Sequence, residues 1–207
     1  SGGGKTVLIK HMIGLMQPSQ GSIKIGGVDI SNMGERELAP IRKKIGMMFQ
    51  NGALFDSLNV AQNIAFPLRE EGIKDVDELN QRVSEVLEIV NLSGQEEKMP
   101  SDLSGGMQKR VALARAIVVQ PECICYDEPH AGLDPITAEK IDKLIKQLQQ
   151  ERGITNIVIT HELRSVFRIA DRIIFMKDGK AYWQGSPDEM KASSDPTLSN
   201  FIAGSES

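Results

Sequence analysis

The pattern of apolar and polar positions divides the first part of this chain into short helices and strands. VLIKHMIGLM has apolar residues at helical spacing and ends at QPSQG, and SIKIGGVDI indicates two short strands around a Gly-Gly turn. KKIGMMFQ is typical of a compact apolar strand that ends at Gln50. The first 50 residues therefore predict one helix, a small hairpin and a buried strand.

The pattern changes between about Asn51 and Asp102, where strand signals disappear. VDELNQRVSEVLEIVNL places five apolar residues on one helix face: Leu79, Val83, Val86, Leu87 and Val90. We therefore predict a helical insertion over this part of the chain.

The alternation of strand and helix resumes after the insertion. A helix is predicted over roughly Ser104 to Val119, CICYD as a buried strand, and TAEKIDKLIKQLQQERG as an amphipathic helix closed by Gly153. NIVIT predicts another buried strand, LRSVFRIA a helix, and RIIFMKDGKAYWQG a hairpin with Asp178-Gly179 at its turn. This alternation predicts an α/β fold in which helices cover both faces of a mostly parallel sheet.

Composition is that of an ordinary globular protein and excludes some classes of function. The 207 residues are 40% hydrophobic and 25% charged, with a net charge of -4. No clustered excess of Lys and Arg indicates a nucleic-acid surface, and no apolar run approaches the roughly 20 residues of a membrane span. Cys123 and Cys125 point to the same face of the predicted CICYD strand, which favours core packing, because a metal or redox site needs further Cys or His at ligand spacing.

The first chemical signal is SGGGKT at residues 1–6, which matches the last six positions of the phosphate-binding loop G-x-x-x-x-G-K-[ST]. The loop residues are Ser1, Gly2, Gly3 and Gly4. In such a loop the glycines turn backbone N–H groups towards phosphate oxygens, Lys5 reaches the β- and γ-phosphates, and Thr6 offers its hydroxyl to Mg²⁺. The alternative is a glycine-rich tail or linker that happens to precede a lysine.

A pair of carboxylates follows the predicted strand CICYD, in the stretch CICYDEP. Asp127 is placed to hold Mg²⁺ through water, as in phosphate-loop enzymes. Glu128 is placed to polarise an attacking water as a general base. Without a phosphate loop the same residues would form only a solvated acidic turn.

A second phosphate-binding feature lies in LSGGMQKRVALARA, where Ser104, Gly105 and Gly106 open a helix. The free N–H groups and the dipole of that helix form a second anion site. Since one nucleotide has one γ-phosphate, two such sites indicate a dimer in which each subunit completes the site of its partner. In isolation, the favoured interpretation of the fragment is an ordinary serine N-cap with a flexible Gly-Gly.

Taken together, these stretches resemble ATP-binding cassette (ABC) ATPases over the whole chain. SGGGKT, Gln50, LSGGMQKR, CICYDEP, AGLD and His161 occur in the order found in that family. The resemblance implies a P-loop NTPase fold of ABC ATPase type with a helical subdomain, binding ATP and Mg²⁺. It also implies that Gln50 contacts Mg²⁺ and the attacking water, that Asp134 lies at the dimer interface, and that His161 contacts the γ-phosphate. The residues implied to hold the metal are Thr6, Gln50 and Asp127.

A finer resemblance is to the MlaF-like group, the ATPases of Mla/Mce-type phospholipid transport systems. It is carried by MFQNGALFDSLNVAQNIAFPLRE, LSGGM and AGLDPIT. It implies phospholipid transport that maintains outer-membrane lipid asymmetry, at the cytoplasmic face of the bacterial inner membrane. The implied partners are a second copy of the subunit, an MlaE-like permease docking near residues 50–68, and an Mce-domain lipid-binding protein, with no nucleic acid. The alternative to a contact with the permease is packing in the core of the helical lobe, and it applies to Phe55, Leu58 and Phe66.

Three rival functions are weighed against this resemblance. An importer ATPase for amino acids or another solute shares the same chemistry. A non-transport ABC ATPase would carry a long coiled coil or a second cassette, and the residues between Thr6 and Ser104 have room only for a small helical lobe. A nucleotide-binding adaptor without hydrolysis is disfavoured by intact Lys5, Asp127 and Glu128.

Two departures from the family pattern lead to further expectations. His130 stands where relatives usually have Ser or Thr, and we expect packing near the dimer interface, with a modest pH effect on dimer closure as the alternative. The family has a strand directly before the phosphate loop and an earlier adenine-stacking aromatic residue. The chain starts at Ser1 without them, so we expect a truncated chain that folds poorly and binds ATP weakly, with the missing strand beside CICYD.

The same patterns predict a division of the chain into domains. We expect an ATPase core over residues 1–50 and 120–187, a helical subdomain over 51–102 whose last helix continues to about 119, and a tail over 188–207. Within the tail, Leu198, Phe201 and Ile202 are expected to pack as one short helix.

Overall fold

The computed structural model describes residues 4–204, which alternate between helices and strands. In chain order the elements are α1 (Lys5–Met12), β1 (Lys24–Ile25), β2 (Val28–Asp29), α2 (Glu35–Arg42), β3 (Ile45–Met48), α3 (Val60–Glu70), α4 (Val76–Ile89), α5 (Gly105–Ile117), β4 (Cys123–Asp127), α6 (Pro135–Arg152), β5 (Thr155–Ile159), α7 (Leu163–Ile169), β6 (Ile173–Lys177), β7 (Lys180–Gly185), α8 (Pro187–Lys191) and α9 (Pro196–Gly204). Of these helices, none is both long and apolar enough to cross a bilayer.

The centre of the fold is a parallel sheet in the order β3-β4-β5, as the alternation predicted. Ile45 pairs with Cys123, and Cys123 pairs with Thr155. Because the strands are parallel, Gln50, Glu128 and His161 all follow carboxyl ends at one edge of the sheet, which is where open α/β sheets bind ligands.

The strand order corrects one expectation from the sequence. A strand before the phosphate loop was expected beside CICYD, but β4 hydrogen-bonds to β3 on one side and to β5 on the other. The prediction that the strand before the phosphate loop lies beside β4 is therefore wrong. NIVIT was expected to be a buried strand, but in β5 only Ile159 is buried and the residues before it are half-buried or exposed.

Two hydrophobic clusters cover the two faces of the sheet. On one face, Ile9 and Ile13 at the end of α1 pack against Cys125 and Ile159, with Cys123 at the margin. Both cysteines are free thiols. Their packing on the α1 side agrees with a core role for the CICYD face that carries them.

The second cluster joins the opposite face of the sheet to the helices of residues 51–102. It runs from Ile124 and Tyr126 of β4 through Leu113 of α5 to α3 and α4. Within α4, Leu79, Val83, Val86 and Leu87 are buried, and Val90 follows them at the helix end, as the periodicity predicted. The packing places α5, which we call the signature helix because it begins at the LSGGM stretch, between the sheet and the two helices of the insertion.

A third cluster stabilises the last part of the described chain. β6 and β7 form an antiparallel hairpin in which Lys177 pairs with Lys180, so Asp178-Gly179 is the predicted two-residue turn. Ile173 packs with Met190 of α8 and Leu198 of α9. The short helix expected near Leu198 is therefore present as α9.

Candidate functional site

The first helix begins directly after the predicted phosphate loop. Gly4 caps α1 with φ +82°, a left-handed conformation that glycine adopts without strain. The helix then begins at Lys5, and the amides of its first turn have no intrahelical acceptor. Ser1, Gly2 and Gly3 lie outside the described residues. The described part of the loop therefore offers a helix N-terminus that favours an anion.

The hydroxyl of Thr6 lies against the carboxylate at the end of β4. Thr6 Oγ1 donates a hydrogen bond to Asp127 Oδ1 at 3.2 Å, across 121 residues of sequence. Asp127 is only 7% exposed. The structure thus brings together two of the three residues expected to hold a metal ion.

These oxygens fit Mg²⁺ better than they fit a metal held wholly by protein. Among residues 4–204 no group of three or more His, Cys, Asp or Glu side chains is arranged to hold a metal. Mg²⁺ in phosphate-binding sites commonly uses one or two protein oxygens together with substrate phosphates and water. A hydroxyl beside a carboxylate suits that mode of binding.

The Glu128 carboxylate contacts two other residues of the predicted site. Its Oε2 lies 2.9 Å from His161 Nδ1, and its Oε1 lies 3.7 Å from Lys5 Nζ. The Glu128 side chain is 16% exposed, whereas that of His161 is 62% exposed. The carboxylate is therefore held between a cation of the phosphate loop and a ring that remains accessible.

The backbone of Glu128 is held in an unusual conformation. Its φ is +49°, in the left-handed region that costs a non-glycine residue about 1–3 kcal/mol. The Glu128 amide donates to the carbonyl of Ile159 at 2.9 Å, at the end of the neighbouring strand. Such strain persists only where the surrounding structure imposes it, and it turns this carboxylate towards Lys5 and His161.

Gln50 is exposed and follows β3 in a turn. Its carbonyl accepts a hydrogen bond from the ammonium of Lys109, a buried residue of α5. Burial lowers the pKa of Lys109, and the negative charge of Asp127 acts in the opposite direction. Lys109, which the sequence did not single out, therefore links the Gln50 turn to the signature helix and to the charge of the carboxylate site.

Ser104, Gly105 and Gly106 form a second group at the N-terminus of α5. Ser104 caps the helix by accepting from the Met107 amide at 3.3 Å. Ser104 and Gly105 are exposed, whereas Gly106 is buried. The open face of this helix end is therefore available to a ligand or to another chain, as the shared-site interpretation requires. Met107 packs partly buried against the main cluster, in agreement with a packing role.

Asp134 lies at the start of α6, next to this second group. It accepts from the amides of Ile136 and Thr137, each at 3.0 Å, and hydrogen bonds from Thr137 hold its pKa below the ordinary range. Asp134 is exposed. Its structural role as a helix cap explains an aspartate here, and its exposure is compatible with an interface.

The N-termini of α5 and α6 approach each other at Gly106. A Cβ atom on Gly106 would lie 2.5 Å from Thr137 Cγ2, a distance that forces a displacement, whereas a Cβ on Gly105 would meet only Leu133 at 4.0 Å. Close packing therefore requires glycine at position 106 and tolerates a side chain at 105.

We expect Gly106→Ala to destabilise the protein by about 1–3 kcal/mol through this overpacking, and Gly105→Ala to have a much smaller effect. Thermal unfolding measures both. Adding Thr137→Ser removes the clashing methyl group and keeps the hydroxyl. The Tm of the double variant should therefore return most of the way from that of Gly106→Ala to that of the wild type. A double variant no more stable than Gly106→Ala would contradict the overpacking explanation.

His130 differs from the expectation of simple packing near an interface. The residue is 4% exposed, and its Nε2 lies 2.8 Å from Oδ1 of Asp142, itself 1% exposed. Asp142 belongs to no motif. Its only sequence signal is that it lies three residues before the apolar Ile145 and therefore on the same face of the helix. The expected alternative of a pH effect on dimer closure stays a prediction.

Comparison with known proteins follows the same direction as the geometry. A model of the family described as ABC transporter matches residues 1–131. The chain is 42% identical, over 204 residues, to the intermembrane phospholipid transport system ATP-binding protein MlaF of Haemophilus influenzae, covering 99% of this chain and 77% of that protein. It is also 42% identical, over 185 residues, to the methionine import ATP-binding protein MetN of Carboxydothermus hydrogenoformans, covering 89% and 55%.

The solved structures that the fold resembles are cassettes of the same kind. The dimeric post-hydrolysis structure of the ATP-binding cassette MJ0796 bound to ADP and Pi superposes with a TM-score of 0.82 at 34% identity. That superposition covers 90% of this chain and 82% of the other.

Proposed function

Because the chain belongs to the ABC transporter family, we propose that it is the ATP-binding and ATP-hydrolysing subunit of a transporter that moves phospholipid. The observation that carries the enzymatic part is the convergence of Lys5, Thr6, Asp127, Glu128 and His161 at one edge of the sheet. The phospholipid part is supported by the similarity to MlaF over nearly the whole chain.

In this proposal the residues of the phosphate loop bind the nucleotide phosphates, and the Glu128 carboxylate activates the attacking water. Lys5 and the amides at the start of α1 hold the β- and γ-phosphates. Glu128 accepts a proton from the attacking water as the bond from water oxygen to phosphorus forms and the bond to ADP breaks. His161, 2.9 Å from Glu128 Oε2, orients that carboxylate and contacts the γ-phosphate. The products are ADP and inorganic phosphate.

Mg²⁺ would be held by Thr6, Asp127 and Gln50. When bound, the ion neutralises phosphate charge. The side chains themselves prepare the site: Asp127 receives the hydroxyl of Thr6, and Lys109 holds the carbonyl of Gln50.

The second anion site is assigned to the nucleotide of a partner subunit. Ser104 and Gly105 are exposed in one chain, and Asp134 is exposed beside them. In the proposed dimer, Ser104, Gly105 and Gly106 face the γ-phosphate held by the partner, and Asp134 lies at the interface. Closing on ATP and opening after hydrolysis then moves the transport machinery.

The proposed domain division gives each part of the chain a place in this cycle. Residues 1–50 and 120–187 form the ATPase core, 51–102 the helical subdomain with its last helix reaching about 119, and 188–207 the tail. We propose that an MlaE-like permease docks near residues 50–68, at the cytoplasmic face of the bacterial inner membrane, in a complex that includes an Mce-domain lipid-binding protein. Phe55 and Phe66 on this surface are 42% and 38% exposed, and their ring centroids lie 4.7 Å apart with the ring planes tilted by 47°.

The cargo is tested with the transporter complex purified through this subunit and reconstituted in proteoliposomes. We expect ATP-dependent movement of fluorescent phospholipid between the vesicles and an acceptor, and no movement in a complex carrying Glu128→Gln. ATP-dependent accumulation of a polar solute, with no lipid movement, would reject the phospholipid assignment and leave the ATPase assignment intact.

An importer ATPase is the second candidate, because identity to MetN reaches the same 42% over a shorter stretch. The site residues would act identically in such a transporter. In the same vesicles, methionine uptake in place of lipid movement would favour this candidate.

A further inference from the structure

Four polar side chains meet beneath the loop that follows β4. His130, Asp142 and Ser165 are 4%, 1% and 4% exposed, and the guanidinium of Arg168 closes the group from the surface. They come from the loop after β4, from α6 and from α7. Buried polar groups of this kind are stable only when they are hydrogen-bonded to each other. We call these four residues the His130 cluster.

Asp142 is the shared acceptor of the His130 cluster. Its Oδ1 receives His130 Nε2 at 2.8 Å and the Ser165 hydroxyl at 2.5 Å, while its Oδ2 receives Arg168 Nη1 at 2.8 Å. Although burial opposes ionisation, these hydrogen bonds lower the pKa of Asp142 below its ordinary value. The cluster is thus built around one anion at neutral pH, with Arg168 as its compensating cation.

The imidazole of His130 makes its polar contacts through one ring nitrogen. Its Nε2 faces Asp142 and lies 3.3 Å from Ser165 Oγ, whereas its buried Nδ1 has no hydrogen-bond partner within the described part of the chain. An apolar side chain of the same size would avoid that unpaired nitrogen. The histidine therefore serves a purpose that packing alone does not require.

The position of the cluster connects it to the catalytic residues. His130 lies two residues after Glu128, in a loop where the Ala131 amide donates to the Glu128 carbonyl at 3.1 Å and the Leu133 amide donates to the His130 carbonyl at 3.1 Å. Ser165 lies on α7, which begins two residues after His161. One anchored ring therefore ties the segment that carries Glu128 to the helix that follows His161.

The conformation of Glu128 explains why such an anchor matters. Its left-handed φ of +49° is fixed on one side by the hydrogen bond to Ile159 of β5. On the other side, one residue, Pro129, separates Glu128 from the anchored His130. A strained residue relaxes unless both flanks are held, and relaxation here would turn the carboxylate away from His161.

We propose that the His130 cluster positions Glu128 and His161 relative to each other for hydrolysis. The proposal rests on the catalytic roles proposed for those two residues. His130 does not contact the nucleotide. It acts through the loop, with Asp142 and Ser165 holding its ring and α7 carrying the other half of the pair.

The test compares variants in the purified transporter complex. His130→Leu removes the hydrogen bond to Asp142 and keeps the bulk, and we expect kcat to fall about 10- to 100-fold, because small misplacement of a catalytic group costs factors of this size. KM for ATP should stay within about twofold, since Lys5 and Thr6 are untouched. His130→Gln, whose amide nitrogen can reach the place of Nε2, should restore most of kcat.

Ser165→Ala is the second variant, because it keeps the ring and removes only one donor to Asp142. Ser165→Ala should also lower kcat. Its effect should nearly vanish in the His130→Leu background, since the two substitutions act through one hydrogen-bond network. Leu148→Ala is the matched control for stability: Leu148 is 1% exposed on the same helix as Asp142, six residues further on. It should lower Tm and leave kcat unchanged at temperatures where the protein is folded.

Each outcome decides between the possibilities. Variants of His130 and Ser165 that lower only Tm, as Leu148→Ala does, would show that the cluster is merely structural and overturn the proposal. A fall in kcat that His130→Gln does not relieve would also overturn it. A wild-type complex that fails to hydrolyse ATP would contradict the proposed function itself, which is a separate result.

Discussion

Replacing Glu128 by glutamine is expected to reduce ATP turnover about 100- to 10,000-fold while leaving ATP binding intact, because a positioned general base contributes a factor of this size. The substitution preserves shape but removes the group that accepts a proton. The amide can still occupy the space between Lys5 and His161, which lie 3.7 and 2.9 Å from the carboxylate oxygens. ATP should therefore bind, and the dimer should remain closed.

Phosphate release measures turnover, and sedimentation with ATP measures dimer closure. Glu122→Gln is the matched control: Glu122 lies just before β4, at its opposite end, and its ion pair with Lys44 at 2.9 Å is exposed. Exposed pairs contribute little, so this change should leave both measurements as in the wild type. Normal turnover in Glu128→Gln would remove Glu128 from the role of base.

The second large effect is expected in dimers assembled from two different subunits. Lys5→Ala removes the main phosphate cation from one site. Ser104→Asp keeps the helix cap, since aspartate caps as well as serine, but places a negative charge where the partner's γ-phosphate is proposed to lie. Each change should impair nucleotide binding at the site it touches.

The arrangement of the two changes distinguishes shared sites from separate ones. With Lys5→Ala on one subunit and Ser104→Asp on the other, a shared-site dimer has both defects in the same site and keeps one site intact. With both changes on one subunit, both sites are damaged. ATP trapped per dimer should therefore be clearly higher in the first arrangement. The reverse order would exclude completion of each site by the partner, and Lys10→Ala, an exposed lysine of the same helix, serves as the control for charge loss.

The sequence predicted most elements of the fold and the chemical residues at their ends, but α2 (Glu35–Arg42) and α8 (Pro187–Lys191) were not among the predicted helices. Periodicity alone separated the helices of residues 51–102 from the alternating part of the chain. SGGGKT, CICYDEP and His161 together predicted phosphate-binding residues at the start of one helix and catalytic residues after two strands. That Glu128 and His161 act at the nucleotide held by Lys5 was implied by the family resemblance, and the common edge at which parallel strands end is the physical reason that they lie together.

What the sequence did not predict depends on contacts between distant residues. Strand order is one case: both neighbours of β4 come from separate parts of the chain, so the expectation of an additional strand beside it was wrong. The link from Lys109 to the carbonyl of Gln50 spans 59 residues. No local pattern marks either feature.

His130 shows most clearly where sequence ends and tertiary structure begins. In the sequence it is a single departure from the usual Ser or Thr, compatible with packing. Asp142 lies 12 residues away and Ser165 lies 35 residues away, and neither belongs to a recognisable motif. Local periodicity determined that α6 and α7 form. Only their packing against the loop after β4 decided that a buried carboxylate would meet this imidazole, because burial and hydrogen bonding between separate elements exist only in the folded chain.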